Sequence, residues 1–335
     1  MRVLAILTVR NEGSFLLEWL AHHRAAGVTD FLVFSNDCTD GTNAMLDRLQ
    51  AMGWLTHVRN DAHAEKGPQW QALKLAAGHP LVRAADWITV IDIDEFINIH
   101  TGDRTIPALL AALPAADAIT LTWRMFGNAG VETLRDEPVT ASFTRAADDP
   151  LDWPWRAVMF KTLYRNDGRF GQPGVHRPKG KATPDQHWFD GAGRPLPGGP
   201  QRIFSRLGET NHSLVQLNHY ALGSMEGYLV KADRGRANRD ASAFDLGYWV
   251  DRNLCHVEDR SILSLDSSAL RAGLMADPVL GDLHRAAFRW RQERFLALMR
   301  HEEWRALFAR LLMTPPTRRI DAAEARKVWV HGLGN

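Results

Sequence analysis

The 335-residue chain is poor in cysteine, with only Cys38 and Cys255. Two thiols cannot build a disulfide framework or a cysteine-rich zinc site, and they fit a reducing compartment. No apolar run approaches the ~20 residues that a membrane-spanning helix needs. No charge sign dominates: 40 Lys and Arg stand against 39 Asp and Glu, a formal net charge of +1. There is no global basic field to hold nucleic acid, and no nucleic-acid partner is expected. Internal repeats and low-complexity tracts are missing. So are the common nucleotide and hydrolase motifs. No G-x-G-x-x-G follows the first apolar segment, and neither H-E-x-x-H nor G-x-S-x-G occurs. Gly174 to Lys181 resembles a phosphate loop only superficially, because Ala182 stands where Ser or Thr is required.

What is present is an ordinary globular composition, with 45% hydrophobic and 24% charged residues. The length suits one large α/β domain with appended elements. Val3–Val9 runs directly into Arg10-Asn11-Glu12 without a small-residue cleavage site, so it reads as a buried strand rather than a signal segment. A cytoplasmic location is expected, with the inner face of the membrane as an option. Most of the 12 tryptophans are assigned to core and loop packing.

The first hundred residues alternate strand and helix signals. Strands are expected at Val3–Val9, Phe31–Phe34, Leu55–Val58 and Trp87–Ile91. Helices are expected from a Ser14 cap, over Gly41–Met52 and over Gln69–Ala77. This order implies right-handed crossovers and a mostly parallel sheet flanked by helices. Beyond His100 come a helix at Ile106–Leu113 and strands at Ala118–Trp123, Ala157–Tyr164 and Leu214–Tyr220. A helix capped by Ser224 then runs to about Arg236, and a helical tail follows from Ala269. Gly168–Gly208, rich in Gly and Pro, is a long loop region. The organisation expected is one α/β unit over 1–265, its first half at 1–100 and its second at 101–265, and a helical extension over 266–335.

Ligands of open α/β sheets sit beyond the carboxyl ends of the strands. Three polar clusters meet there: Thr8 to Glu12, Ser35 to Gly41, and Asp92-Ile93-Asp94-Glu95. Strand alternation puts Asp92 and Asp94 on one side. Two bare carboxylates so placed repel each other, and a divalent cation with oxygen ligands, Mg²⁺ or Mn²⁺, removes that cost. Such an ion holds a diphosphate and stabilises a departing phosphate. Glu95 is expected to orient this pair from behind. Lys231 and Arg234 share a helix face and suit phosphate oxygens.

At these residues the chain resembles the GT-A-fold glycosyltransferases of the family 2 type, and especially a bacterial group related to the galactan synthases. Five segments carry the resemblance. They are Thr8 to Glu12; Phe34 to Thr42; Trp87 to Ile97; Trp123 to Gly130; and Asn218-His219-Tyr220 leading to Ser224, Lys231, Arg234 and Gly235. The resemblance implies a GT-A, Rossmann-like α/β fold and a nucleotide-sugar donor, usually a UDP-sugar. It also implies a divalent cation and a saccharide or glycolipid acceptor. Thr8, Arg10, Asn11, Glu12, Asn36 and Asp37 would line the nucleoside pocket. Asp92 and Asp94 would bind the metal, His219 would complete its site, and the Gly127–Gly130 loop would contact a sugar.

Enzymes of this type usually invert, with a general base taking the acceptor's proton. Asp185 is the first choice for that base; Asp190, Glu209 and His176 are alternatives. The tail from Leu283 to Leu312 alternates apolar residues with seven arginines. It reads either as a basic amphipathic surface for peripheral membrane contact or as helices packing on the catalytic unit. Rival functions are a sugar nucleotidyltransferase and a non-catalytic saccharide-binding protein on the same fold.

Overall fold

The computed structural model describes residues 1–61, 67–235 and 245–329. The first half alternates β1 (Val3–Val9), α1 (Gly13–Ala25), β2 (Asp30–Ser35), α2 (Thr42–Ala51), β3 (Thr56–Arg59), α3 (Pro68–Ala77), α4 (Pro80–Ala84) and β4 (Trp87–Val90). Then follow β5 (Glu95–Ile99), α5 (Ile106–Ala112), β6 (Ala118–Met125), α6 (Val139–Ser142), β7 (Arg145–Ala146), β8 (Phe160–Arg165), β9 (Trp188–Phe189) and β10 (Val215–His219). The chain closes with α7 (Met225–Arg234), α8 (Leu246–Val250), β11 (Val257–Glu258), α9 (Ser268–Ala276), α10 (Pro278–Leu298), α11 (Glu302–Met313) and α12 (Ala322–Trp329).

The main sheet has the order β3-β2-β1-β4-β8-β6-β10-β5, with β9 beside β6. β1, β2, β3 and β4 are mutually parallel, as are β6, β9 and β10; β8 and β5 run antiparallel to their neighbours. The expected mostly parallel sheet flanked by helices, with a helical C-terminal region, is therefore the fold. Its first strand is apolar on both faces. Val3, Leu4, Ala5, Ile6 and Leu7 of β1 are all fully buried.

Three local differences from the sequence reading matter for the site. Asp92 and Asp94 do not continue β4; they form a turn into β5, a strand the apolar pattern hid because it starts on Glu95. Ser14 lies inside α1, where its hydroxyl has no partner, and Glu12 occupies the cap position. The expected strand at Ala157–Tyr164 begins only at Phe160, after a 3₁₀ turn at Trp155–Val158. Ser224 does cap α7, its Oγ accepting from the Gly227 amide at 3.1 Å. That helix ends at Arg234; Arg236, its expected limit, lies outside the described residues.

The helical tail packs on the rest of the chain. α9 and α10 lie on α1, α10 also meets α2 and α7, and α11 meets α7 and α8. Phe295, Met299, Trp304, Leu307 and Phe308 pack against a cluster that holds Tyr228, Leu229 and Trp249. Most of the apolar stripe that could have faced a membrane is thus turned inward. Leu296, Leu312 and Met313 stay exposed. Among the described residues no helix is long and apolar enough to cross a membrane.

Candidate functional site

The turn between β4 and β5 is pinned from three sides. Trp19 of α1 donates its indole N–H to the carbonyls of Asp92 and Glu95, at 3.1 and 3.0 Å. The Tyr220 amide, just past β10, donates to the Asp94 carbonyl at 2.9 Å. The Asp92 amide donates to Glu95 Oε2 at 2.8 Å. Antiparallel pairing of β5 with β10 sets Glu95 opposite His219, which brings that histidine beside Asp94.

Beneath the turn lies a buried ionic layer. Lys161 on β8 is wholly buried, with Nζ 2.9 Å from Asp92 Oδ2 and 3.7 Å from Glu95 Oε2. Glu95 is equally buried and accepts from the Trp123 indole N–H at 2.6 Å. Burial pushes its carboxyl up to about 8, against the pull of Lys161. Burial opposes the charge on Lys161, yet Asp92 and Glu95 hold that amine above its ordinary range. Glu95 thus holds the Asp92 backbone from behind, and Lys161 is the partner the sequence reading missed. Its signal was a single lysine in an otherwise apolar strand, Met159-Phe160-Lys161-Thr162-Leu163.

Asp94 faces the opposite way. Its Oδ2 accepts from Lys231 Nζ at 2.6 Å and lies 3.6 Å from His219 Nε2. Burial alone would raise this carboxyl, but Lys231 and His219 hold it well below the usual range. Burial lowers the His219 imidazole despite Asp94, and its Nδ1 is buried with no hydrogen-bond partner.

Both acids line a cavity of about 510 Å³ at the carboxyl ends of β1, β2 and β4. The size is within the range of small-molecule sites. Of the residues expected there, Thr8, Arg10, Glu12, Asn36, Asp92, Asp94, His219, Lys231 and Arg234 do line it. Asn11 and Asp37 do not, and both have left-handed backbones, φ 53° and 47°. Asn11 Oδ1 accepts from the Thr39 amide at 2.7 Å, so this side chain builds the loop instead of facing a ligand. Asp37 is exposed, with its amide on Asp61 Oδ1 at 2.8 Å.

The expected base Asp185 is misplaced by the sequence reading. It is an exposed residue of the 168–208 loop and is not on the cavity wall. Asp190 is held by Arg194 at 2.7 Å, and Glu209 is bound by Arg194 and Arg206. The Gly127–Gly130 loop also departs from its expected role. A side chain at Gly127 would run into Cys255, and Asn128 donates to the Val131 and Gly223 carbonyls at 2.7 Å. This loop is a packing joint.

The expected metal set is not gathered. Two carboxylates and an imidazole are suitable donors for Mn²⁺ or Mg²⁺. However, Asp92 and Asp94 each bind a lysine, and among the described residues no three His, Cys, Asp or Glu side chains stand close enough to hold an ion. As arranged, these residues do not fit a resident cation.

The cavity's charges are unequal. Three acids line it, and each is paired: Glu12 with Arg234, Asp92 with Lys161, Asp94 with Lys231. Among the described residues its other cations, Arg10, Arg156 and Arg252, have no carboxylate partner. Arg252 is only 7% exposed. Its guanidinium lies 3.6 Å from the centre of the Tyr248 ring, and its Nε has no hydrogen-bond partner. Sequence reasoning missed Arg156 and Arg252 because both lie in irregular segments without periodic signal.

The fold and this cavity define an α/β protein with a cavity at its strand ends whose acids are paired and whose wall carries three further arginines. Comparison with known proteins is more particular. Residues 6–154 match the model of glycosyltransferase family 92, where the resemblance had named the family 2 type. A glycosyltransferase family 92 protein of Oryza sativa subsp. japonica is 25% identical over 142 residues, covering 41% of this chain and 23% of the relative. One of Ricinus communis is 23% identical over 142 residues, covering 41% of this chain and 25% of the relative. The chain therefore spans about a quarter of the length of these curated relatives. Among solved structures, S. aureus TarS 1-349 in complex with UDP is 17% identical, covering 50% of this chain and 47% of that one, with a TM-score of 0.31. Glucosyl-3-phosphoglycerate synthase from Mycobacterium tuberculosis, in complex with Mn²⁺, UDP and glucosyl-3-phosphoglycerate, is 18% identical, covering 36% and 44%, with a TM-score of 0.25.

Proposed function

We propose that the protein is a glycosyltransferase that moves a sugar from a nucleoside-diphosphate sugar, a UDP-sugar first, to a saccharide or glycolipid hydroxyl. The observation that carries this reading is the charge imbalance of the cavity. Every acid on the wall is neutralised, and Arg10, Arg156 and Arg252 are left over. Arg252 is the buried one of the three, and a desolvated guanidinium without a counter-charge is costly unless an anion meets it. A diphosphate meets that demand, and guanidinium forks match phosphate oxygens. The family 92 match over residues 6–154 supports a sugar as the transferred group.

In this reading Thr8 and Asn36, at the ends of β1 and β2, seat the nucleoside side of the donor. Arg10, Arg156 and Arg252, with Lys231 and Arg234 beside them, take the diphosphate and stabilise the charge that collects on it as the glycosidic bond breaks. Trp123 and Trp155 offer aromatic faces to sugar rings. The cation that the resemblance implies is given no step, since Lys161 and Lys231 occupy the acids that would hold it. Transfer is read as direct displacement with inversion.

The test is a panel of sugar nucleotides incubated with the protein. Release of nucleoside diphosphate supports transfer. Release of pyrophosphate from sugar phosphate and nucleoside triphosphate points to the rival nucleotidyltransferase. Binding without turnover points to a saccharide-binding protein.

A further inference from the structure

We propose that His176 is the general base of the transfer, its Nε2 taking the proton of the attacking hydroxyl. The proposal rests on the transfer reading and names the residue which that reading leaves open.

His176 lines the cavity. Its Nδ1 lies 2.9 Å from the Phe160 carbonyl, which can only accept, so the ring's proton sits on Nδ1 and the Nε2 lone pair is unused. The backbone is fixed as well, because Thr162 Oγ1 donates to the His176 carbonyl at 2.8 Å. The ring meets the Trp123 indole edge-on at 5.9 Å, and on its other side Trp123 lies 4.4 Å from the His219 ring. His176 and the Asp94–His219 pair are thus joined through one aromatic wall.

The other bases on that wall are engaged. Glu12, Asp92 and Asp94 each carry a cation. His219 turns its Nε2 toward Asp94 at 3.6 Å, and its Nδ1 is buried. His176 is the one base of the cavity wall, among the described residues, that is neither hydrogen-bonded to nor ion-paired with a charged group, although Lys161, Asp92 and His219 stand near enough to act on it electrostatically. Burial, with Lys161 nearby, holds its imidazole down at about 4, so the ring is neutral at neutral pH.

The step balances. A lone pair of the hydroxyl oxygen forms the new bond to the anomeric carbon as the O–H proton passes to His176 Nε2, giving an imidazolium. The bond from that carbon to the phosphate oxygen breaks, and its electron pair leaves with the nucleoside diphosphate.

The experiment compares wild type with His176→Gln and His176→Ala, reading release of UDP from UDP-glucose or UDP-galactose with water as acceptor. UDP affinity and melting temperature are measured in parallel. The result expected is a fall in kcat of about 10²–10⁴-fold with UDP affinity and donor KM within about twofold of wild type, and partial rescue of His176→Ala by added imidazole. His176→Gln keeps a neutral polar side chain of similar size and is read beside its melting temperature, so a folding loss in the alanine variant does not obscure the reading. A kcat within fivefold of wild type in the glutamine variant overturns the proposal. So does a loss of UDP affinity that matches the loss of rate. A wild type that turns over no sugar nucleotide overturns the transfer reading, and this one with it; the variant results overturn the base alone.

Discussion

Arg291, on α10 of the helical tail, reaches the first loop of the sheet, where its guanidinium stands 3.6 Å from Glu12 Oε2 and donates to the Asn11 carbonyl at 3.1 Å. It is 3% exposed and lies over the Phe15 ring at 4.5 Å. Arg234 of α7 holds the same Glu12 and donates to the Arg10 carbonyl at 2.7 Å. The loop that presents Arg10 to the cavity is thus clamped by two later helices, one from the tail.

Arg291→Met is expected to destabilise the fold by roughly 2–4 kcal/mol. A stranded buried charge costs about 3–5 kcal/mol, but Arg234 still compensates Glu12. Urea unfolding measures this, and UDP affinity should fall with it as the Arg10 loop loosens. A change below about 0.5 kcal/mol would mean that the tail is not part of the site's framework.

Lys161 and Asp92 form one pair but should not behave alike. Lys161→Met removes the buried amine that both Asp92 and Glu95 face, and is expected to cost about 3–5 kcal/mol. The Asp92 side chain is 36% exposed, so Asp92→Asn should cost only about 1 kcal/mol. Equal costs in chemical denaturation would show that the buried layer is not organised around the lysine.

The site and fold were unevenly legible in the sequence. β1, β2 and β4 were readable because they are apolar runs buried on both faces, and they carry Thr8, Arg10, Asn36 and the acid pair to one edge. α7 was readable from Ser224, whose capping bond is local. β5 was hidden because its first residue, Glu95, is an ionisable side chain whose burial is made tolerable by Lys161, 66 positions away in sequence and contributed by another strand. Local alternation therefore misjudged the geometry of Asp92 and Asp94. Asp185 was chosen from its place in a polar loop, and nothing local to it encodes that its part of the loop stays exposed while Val175 and His176 reach the cavity.

Acid should weaken the fold through α1. Burial drives the His22 imidazole down to about 4, and His23 well below its ordinary 6.5. The unfolded chain therefore binds protons that the folded one refuses. This stability is complete above the unfolded value of 6.5 and is lost as pH falls toward the folded values. For His22 alone it amounts to about 3 kcal/mol. Urea midpoints at pH 7 and pH 5 should fall in wild type, and fall less in His22→Asn. A midpoint independent of pH over this window would refute the assignment of these rings as buried and neutral.

Arg252 separates the anion seat from simple nucleoside recognition. Losing its charged hydrogen bonds is worth roughly 1.5–3 kcal/mol, so Arg252→Gln should weaken UDP binding about tenfold or more. Uridine binding should be unchanged. Equal losses for both ligands would move Arg252 from the diphosphate to the fold.

The most direct measurement compares UDP with uridine as stabilisers of the folded chain, by thermal shift in EDTA and again with Mn²⁺. A ligand that binds only the native state raises the melting temperature by mass action. Because unpaired arginines are taken to hold the diphosphate, UDP should raise the melting temperature in EDTA while uridine does not, and Arg10→Gln and Arg252→Gln should each diminish the rise. A UDP shift no larger than that of uridine, or one that both arginine variants retain in full, would contradict the charge reading of the cavity.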